Sequence, residues 1–184
     1  MDAEWMKEAL REARLAFDEG EVPVGAVLVQ EGKIIARGRN RVEAMRDPTA
    51  HAEMIALREA ASLQKRWRLT GLTLYCTLEP CAMCAGAMFS ARIDRLVYGA
   101  PDLRLGAHGS FVDLFREKHP MHTIEVVSGV LEEESACLMK TFFQSRRSFK
   151  VASNSNEKLC LLSPGASSPM SPTTTCCSRT ISPN

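Results

Sequence analysis

The chain has no apolar run near the ~18 residues that a membrane-spanning helix needs. Its opening stretch, "MDAEWMKEALREARLAF", carries Asp2, Glu4, Glu8 and Glu12. It therefore has neither the apolar core of a secretory signal nor the acid-poor character of a transit peptide. An even framework of cysteines is also missing. The seven present are Cys76, Cys81, Cys84, Cys137, Cys160, Cys176 and Cys177. A chain of 184 residues can bury a core without disulfide staples. The thiols then read as metal-binding or catalytic groups in a reducing compartment. Excess charge is lacking too. The formal net charge is +1, and the last 34 residues hold one acid, Glu157, and two bases, Lys158 and Arg179, so the chain is neutral through Lys150. A nucleic-acid partner would have to be held by a local patch and not by the overall field. These absences argue against a membrane span and a disulfide scaffold, and make the cytoplasm the expected location.

What is present has the composition of a soluble domain, 45% hydrophobic and 24% charged. The composition changes after Lys150. The segment "VASNSNEKLCLLSPGASSPMSPTTTCCSRTISPN" is rich in Ser, Pro, Thr and Asn and shows no periodicity. We expect one domain over residues 1–150 and a disordered tail over 151–184. Cys176 and Cys177 have no matching histidine or second cysteine pair nearby, so they belong with the tail.

Within the first 150 residues, Trp5, Met6, Ala9, Leu10, Ala13 and Phe17 recur at helical spacing, and Gly20 ends the run. "VPVGAVLVQ" and "KIIARG" read as two strands joined by a tight turn at Glu31-Gly32. Residues 50–64 predict a helix with Thr49 as its N-cap. "LTLYCTL" predicts a buried strand, and Pro80 to Arg92 a helix with proline in its first position. "IDRLVYGA" is a further strand. Residues 101–120 form a long loop with one helical turn near Phe111–Phe115. "TIEVVSGV" is the last strand, and 132–148 the last helix. Helices falling between strands predict an α/β fold, with a mixed five-stranded sheet covered on both faces.

Two short motifs carry the chemistry. His51-Ala52-Glu53 opens one predicted helix, and Pro80-Cys81-Ala82-Met83-Cys84 opens the next. Cys81 and Cys84 lie one turn apart on one face, at a helix N-terminus that favours thiolate. One histidine and two cysteines make three protein ligands and leave a fourth tetrahedral position for water, as in a catalytic and not a structural zinc site. Glu53 sits two residues from His51, placed to face that water and take its proton. Zinc lowers the pKa of the water to roughly 7. A His-x-Glu followed by Pro-Cys-x-x-Cys, with the glutamate outside the ligand set, is the established pattern of zinc deaminases. A redox pair fits less well, because Cys81 follows proline without the context of a thioredoxin-type strand. A closed Cys₃His site would need another cysteine; Cys76 is near but lies in an apolar strand and reads as core.

On these residues the chain resembles the tRNA adenosine deaminase family of bacterial and plastid type. The resemblance rests on "PTAHAEMIALREA", "TLYCTLEPCAMCAGAMFSARIDRLVYGA", "EVPVGAVLV" and the ending "FFQSRR". It covers nearly all of residues 3–149 and none of the tail. It implies a three-layer α/β/α cytidine-deaminase-like fold, one Zn²⁺ per subunit held by His51, Cys81 and Cys84, and a homodimer. The implied reaction converts adenosine to inosine at the wobble position of a tRNA anticodon. Hydroxide generated at zinc attacks purine C6, and Glu53 shuttles the proton. By the same resemblance, Asn40 binds the flipped-out nucleoside, Val27 and Pro48 form pocket walls, and Ala52 lies at the substrate. Asp102, Arg104 and His108 line the RNA groove, and Phe143, Arg146 and Arg147 on the last helix touch the anticodon arm of the tRNA. Extrusion of the base requires contacts to flanking nucleotides, and aromatic or Arg side chains suit splayed single-stranded bases.

Plainer readings stand beside these roles. Phe142 and Phe143 suit a helix core. Glu132 to Glu134 at the start of the last helix and Arg146, Arg147 and Lys150 at its end form a gradient that the helix dipole alone favours. Asn40 could simply turn its loop. His119 and His122 carry no signal beyond loop histidines. Two other functions also remain open: deamination of a free nucleobase or nucleoside such as guanine or cytosine, and an inactive RNA-scaffolding subunit. "DPTAHAE" and the Arg-bearing last helix favour a tRNA substrate over the first, and Glu53 speaks against the second.

Overall fold

The computed structural model describes residues 1–116, 120 and 122–160, with the backbone alone over 148–160. Two compact units are distinguished, Met1–Arg147 and Ser148–Asn184.

The element order is α1 (Asp2–Asp18), β1 (Gly25–Gln30), β2 (Lys33–Arg39), α2 (Val42–Met45), α3 (Ala52–Gln64), β3 (Thr73–Leu78), α4 (Ala82–Ala91), β4 (Arg95–Ala100), β5 (Glu125–Val127) and α5 (Glu132–Cys160). The five strands form one sheet in the order β2-β1-β3-β4-β5. β1 pairs antiparallel with β2 and with β3, while β3, β4 and β5 run parallel. The sheet is mixed, as expected. Glu31 and Gly32 join β1 to β2 with φ of 49° and 71°, the two positive values that a type I′ hairpin turn requires.

The central strands β1, β3 and β4 bury both faces. Val27, Val29, Tyr75 and Val97 pack with Met6 and Ala9 of α1. On the other face, Ala26, Leu28, Leu74, Cys76, Leu96 and Tyr98 pack with Ala56 and Ala60 of α3 and Met88 of α4. The result is three layers, helix on sheet on helix. Alternation along β1 decides which face each residue serves. Gly38 sets how closely α3 approaches β2: a Cβ there would run into the carbonyl of Ala52 and the amide of Ala56. The first turn of α3 therefore lies directly on the strand backbone.

Several boundaries differ from expectation. Thr49 does not cap α3. Its amide and hydroxyl both donate to Asp47 Oδ1, at 2.8 and 2.7 Å, in a local turn, and His51 takes the cap position. Pro80 precedes the helix it was expected to open, and Cys81 is the N-cap of α4. The last strand shrinks to Glu125–Val127. No helical turn forms at Phe111–Phe115, where the Gly109 amide instead donates to Val112 O at 3.0 Å and the Leu114 amide to Ala107 O at 2.9 Å. α5 runs to Cys160 and not to 148; no proline or glycine interrupts the chain between Lys150 and Pro164. Residues 161–184 of the expected tail, and His119, lie outside the described residues.

Candidate active site

β3 and β4 run parallel and deliver their carboxyl ends to one side of the sheet, where ligand sites of open α/β sheets are found. A cleft of about 350 Å³ opens there, within the size range of small-ligand pockets. Its walls come from the end of α1 (Gly20, Glu21), the approach to β1 (Val22, Val24), Leu78 and Glu79 at the end of β3, the loop after β4 (Asp102, Arg104, Leu105) and α5 (Met139, Phe142, Phe143, Arg146). His51, Glu53 and Cys81 line the same cleft.

The ligating atoms of His51, Cys81 and Cys84 lie within 4.8 Å of one another. His51 Nδ1 is 3.7 Å from Cys81 Sγ and 3.6 Å from Cys84 Sγ. A tetrahedral zinc, with Zn–N of roughly 2.0–2.1 Å and Zn–S of about 2.3 Å, separates such donors by about 3.6 Å. The residues present therefore fit the ion, and three ligands leave one tetrahedral position open. The thiols are unequal. Hydrogen bonding from Cys84 holds Cys81 down to about 4, whereas the same bond and burial push Cys84 up. The bond to Cys81 holds His51 above its ordinary value.

Glu53 sits in the first turn of α3 and is 4% exposed. Burial raises its carboxyl above the usual carboxylate range, the direction that makes a carboxylate a better proton acceptor. Cys76, as expected, is core: it is fully buried, its Sγ donates to Leu78 O at 3.1 Å, and it stands outside the ligand group.

The cleft gathers Asn40, Asp102, Arg104, Phe143 and Arg146 around the ligand group. Asn40 is buried, with Nδ2 donating to Glu21 Oε2 at 3.3 Å. Asp102 Oδ1 accepts from the Arg104 amide at 3.0 Å. Arg146 donates to Gly20 O at 2.7 Å and lies over the Phe142 ring. Phe143 is 38% exposed, so it is not the core residue that spacing alone allowed, whereas Phe142 is buried.

Other residues do not join them. Val27 is fully buried on the α1 face; strand alternation turns it away from the cleft, and Val22 and Val24 take the wall instead. Pro48 is exposed in the turn that the Ala50 amide closes on Asp47 O at 3.0 Å. Ala52 is buried against β2 by the close approach at Gly38. His108 is half-buried off the cleft, with Nδ1 3.0 Å from Tyr98 Oη and its ring edge-on to Phe115. Arg147 is exposed and outside the lining.

Two buried acids of the cleft lining escaped the sequence reading. Glu21 accepts from the Asn40 amide group and from the Ala44 backbone at 2.8 Å. Glu79 is 2% exposed. Both lie inside the quoted segments "EVPVGAVLV" and "TLEPC", yet an acid in an apolar stretch gives no sign of its partners until the fold supplies them.

The model of the cytidine and deoxycytidylate deaminase zinc-binding region matches residues 1–100. The chain belongs to this deaminase family. It is 48% identical over 155 residues to the tRNA-specific adenosine deaminase of Bacillus subtilis, covering 84% of this chain and 96% of that one. It is 52% identical over 162 residues to the chloroplastic tRNA(adenine(34)) deaminase of Arabidopsis thaliana, covering 79% of this chain but spanning only 12% of that protein. A solved structure from work on A-to-I editing by tRNA:A34 deaminases superposes with a TM-score of 0.71 at 48% identity, over 73% of this chain and 98% of the other. The deaminase thus has the zinc-binding core and the three-layer fold that its sequence implied. Among the described residues no helix is long and apolar enough to cross a membrane.

Proposed function

We propose that this deaminase converts adenosine to inosine at the wobble position of a tRNA anticodon, with release of ammonia. The observation that carries the reading is a His51–Cys81–Cys84 donor set at zinc spacing with the buried acid Glu53 beside it in one cleft. Kinship to tRNA-specific adenosine deaminases supplies the substrate class.

His51, Cys81 and Cys84 would hold the zinc, which supplies the Lewis acidity that makes water a competent nucleophile near neutral pH. Glu53 takes a proton from that water, passes it to the purine ring nitrogen N1, and then serves the departing amine. Water adds at C6, the C6–N bond breaks, and the balance is adenosine plus water to inosine plus ammonia. Asn40, held through its amide NH₂ by Glu21, offers its remaining Oδ1 to the nucleoside. Phe143 suits stacking on a flanking base, and Arg104 and Arg146 at the cleft suit the RNA backbone.

The catalytic domain in this reading covers residues 1–150, and the enzyme is a cytoplasmic homodimer, on the strength of the resemblance. The deciding assay incubates the zinc-loaded protein with an anticodon stem-loop bearing a wobble adenosine, beside free adenosine, cytidine and guanine. Inosine in the RNA and no product elsewhere is expected. Turnover of a free base with inert RNA would overturn the reading.

A further inference from the structure

Glu79 lies between the end of β3 and the cap of α4, two residues before Cys81. Its buried carboxylate is filled by the loop after β4. Oε1 accepts from the His108 amide at 2.7 Å and the Ser110 amide at 3.4 Å. Oε2 accepts from the Asp102 amide at 3.1 Å and from the Ser110 hydroxyl. A Cβ on Gly106 would strike this same carboxylate, so glycine there is the condition for the loop to close over it. The next residue along, Pro80, adds a backbone tie: its carbonyl accepts from the Ala107 amide at 2.9 Å. Asp102 and Arg104, which line the cleft, are carried on this loop.

We infer that Glu79, outside the ligand group, is a positioning residue that pins the substrate-lining loop 102–110 to the metal-bearing segment, and so sets substrate affinity through the loop its carboxylate holds. The inference rests on the proposed RNA-deaminase reading for its kinetic consequence. A buried acid accepting three amides and a hydroxyl is fully committed as an acceptor. The loop around it is short of regular structure, and three of its backbone N–H groups, those of Asp102, His108 and Ser110, turn inward to one carboxylate. Glutamine in its place keeps the volume but turns an NH₂ donor toward amide donors, which leaves polar groups unpaired.

The experiment uses the full zinc-loaded chain. For Glu79→Gln we expect KM for the stem-loop to rise about tenfold and kcat to stay within about threefold, the pattern of lost uniform binding. Zinc should remain at one per chain. Amide exchange at Asp102, His108 and Ser110 should speed up by about tenfold or more as protection is lost. Gly106→Ala should reproduce the KM rise by forcing loop and carboxylate apart. Ser110→Ala, which removes one bond, should give a smaller rise. These two variants carry the test if Glu79→Gln does not fold. Unchanged KM in Gly106→Ala, or kcat and zinc falling together in Glu79→Gln, would overturn the inference. If the wild-type protein leaves the RNA untouched, the functional reading fails. The exchange measurement still decides the positioning role, and unchanged protection at the three amides would refute it.

Discussion

His51 and Cys81 occupy the same structural place on two different helices. Each is the N-cap of its helix, in extended conformation, with φ/ψ of −73°/153° and −74°/170°. Neither side chain caps its own helix; instead the two meet, Nδ1 to Sγ at 3.7 Å. Cys84, one turn into α4, completes the set at 3.6 Å. Two helix N-termini therefore converge on one spot, and their positive ends favour the anionic sulfur that a metal requires.

Zinc affinity should rise with pH, because ligands must shed protons to bind. Cys81 is already low, so the proton to be displaced is chiefly that of Cys84, whose thiol is pushed up. His51, held above its ordinary value, adds a second proton in acid. One displaced proton weakens binding about tenfold per pH unit, so competition against a chelating dye should show roughly a hundredfold loss between pH 8 and pH 6. Affinity that does not vary over that range would refute this assignment of the ligands. Cys84→Ser should be isolated with well under one zinc per chain.

Glu53→Ala should retain zinc and lose turnover. Positioned proton transfer contributes about 10²–10⁴-fold, and here one group serves both water and leaving amine, so a loss of at least about 10³-fold is expected. The paired measurement is metal content beside the rate of inosine formation. Substantial residual turnover with full metal would remove Glu53 from the proton path.

Much of this site was legible because its parts are local. His51 and Glu53 are two residues apart, and Cys81 and Cys84 one helical turn apart. The Glu31-Gly32 turn also announced its hairpin. Less legible were features that only the third dimension decides. Val27 looked like a wall residue, yet one step of strand alternation turns it to α1, while Val24 on the approach to β1 reaches the cleft. Thr49 had the chemistry of an N-cap, but Asp47 captured its hydroxyl. Glu79 reads as one acid beside a proline, and its partners lie 23 to 31 residues away. Such a carboxylate has no sequence signature, because what defines it is the inward-facing amides of a distant loop.

Gly38→Ala tests whether the close seat of α3 on β2 positions the histidine. The added methyl meets backbone of Ala52 and Ala56 and not a movable side chain, so the helix start must lift. Overpacking of this kind costs about 1–3 kcal/mol. Because His51 and Glu53 flank Ala52, zinc content and turnover should fall along with stability. Thermal unfolding and metal analysis on the same sample check it; a destabilised variant with full zinc and normal turnover would show that the seat serves the fold alone.

The acid tie under the opposite face of the sheet should affect stability alone. Asp2 takes Arg95 Nη1 and Nη2 at 2.9 Å each, and Tyr75 Oη at 2.9 Å, joining the start of α1 to β3 and β4. Hydrogen bonding from the Arg95 guanidinium, more than any other influence, holds the Asp2 carboxyl down to about 2, against an ordinary 3.8. A carboxyl lowered by folding stabilises the native state above its unfolded pKa, and that contribution fades as pH falls through the folded value. The window here runs from about pH 4 down to about pH 2. The Asp2 side chain is 32% accessible, so solvent screening cuts the contribution to about 1 kcal/mol. Asp2→Asn should therefore lower the unfolding midpoint by about 2–4 °C at pH 7. The gap from wild type should close as pH approaches 2, because protonated Asp2 can no longer pair with Arg95. Deamination at 25 °C should be unchanged, since Asp2 is no part of the cleft lining. An equal gap at pH 7 and at pH 2.5 would show that the tie works by packing and not by charge.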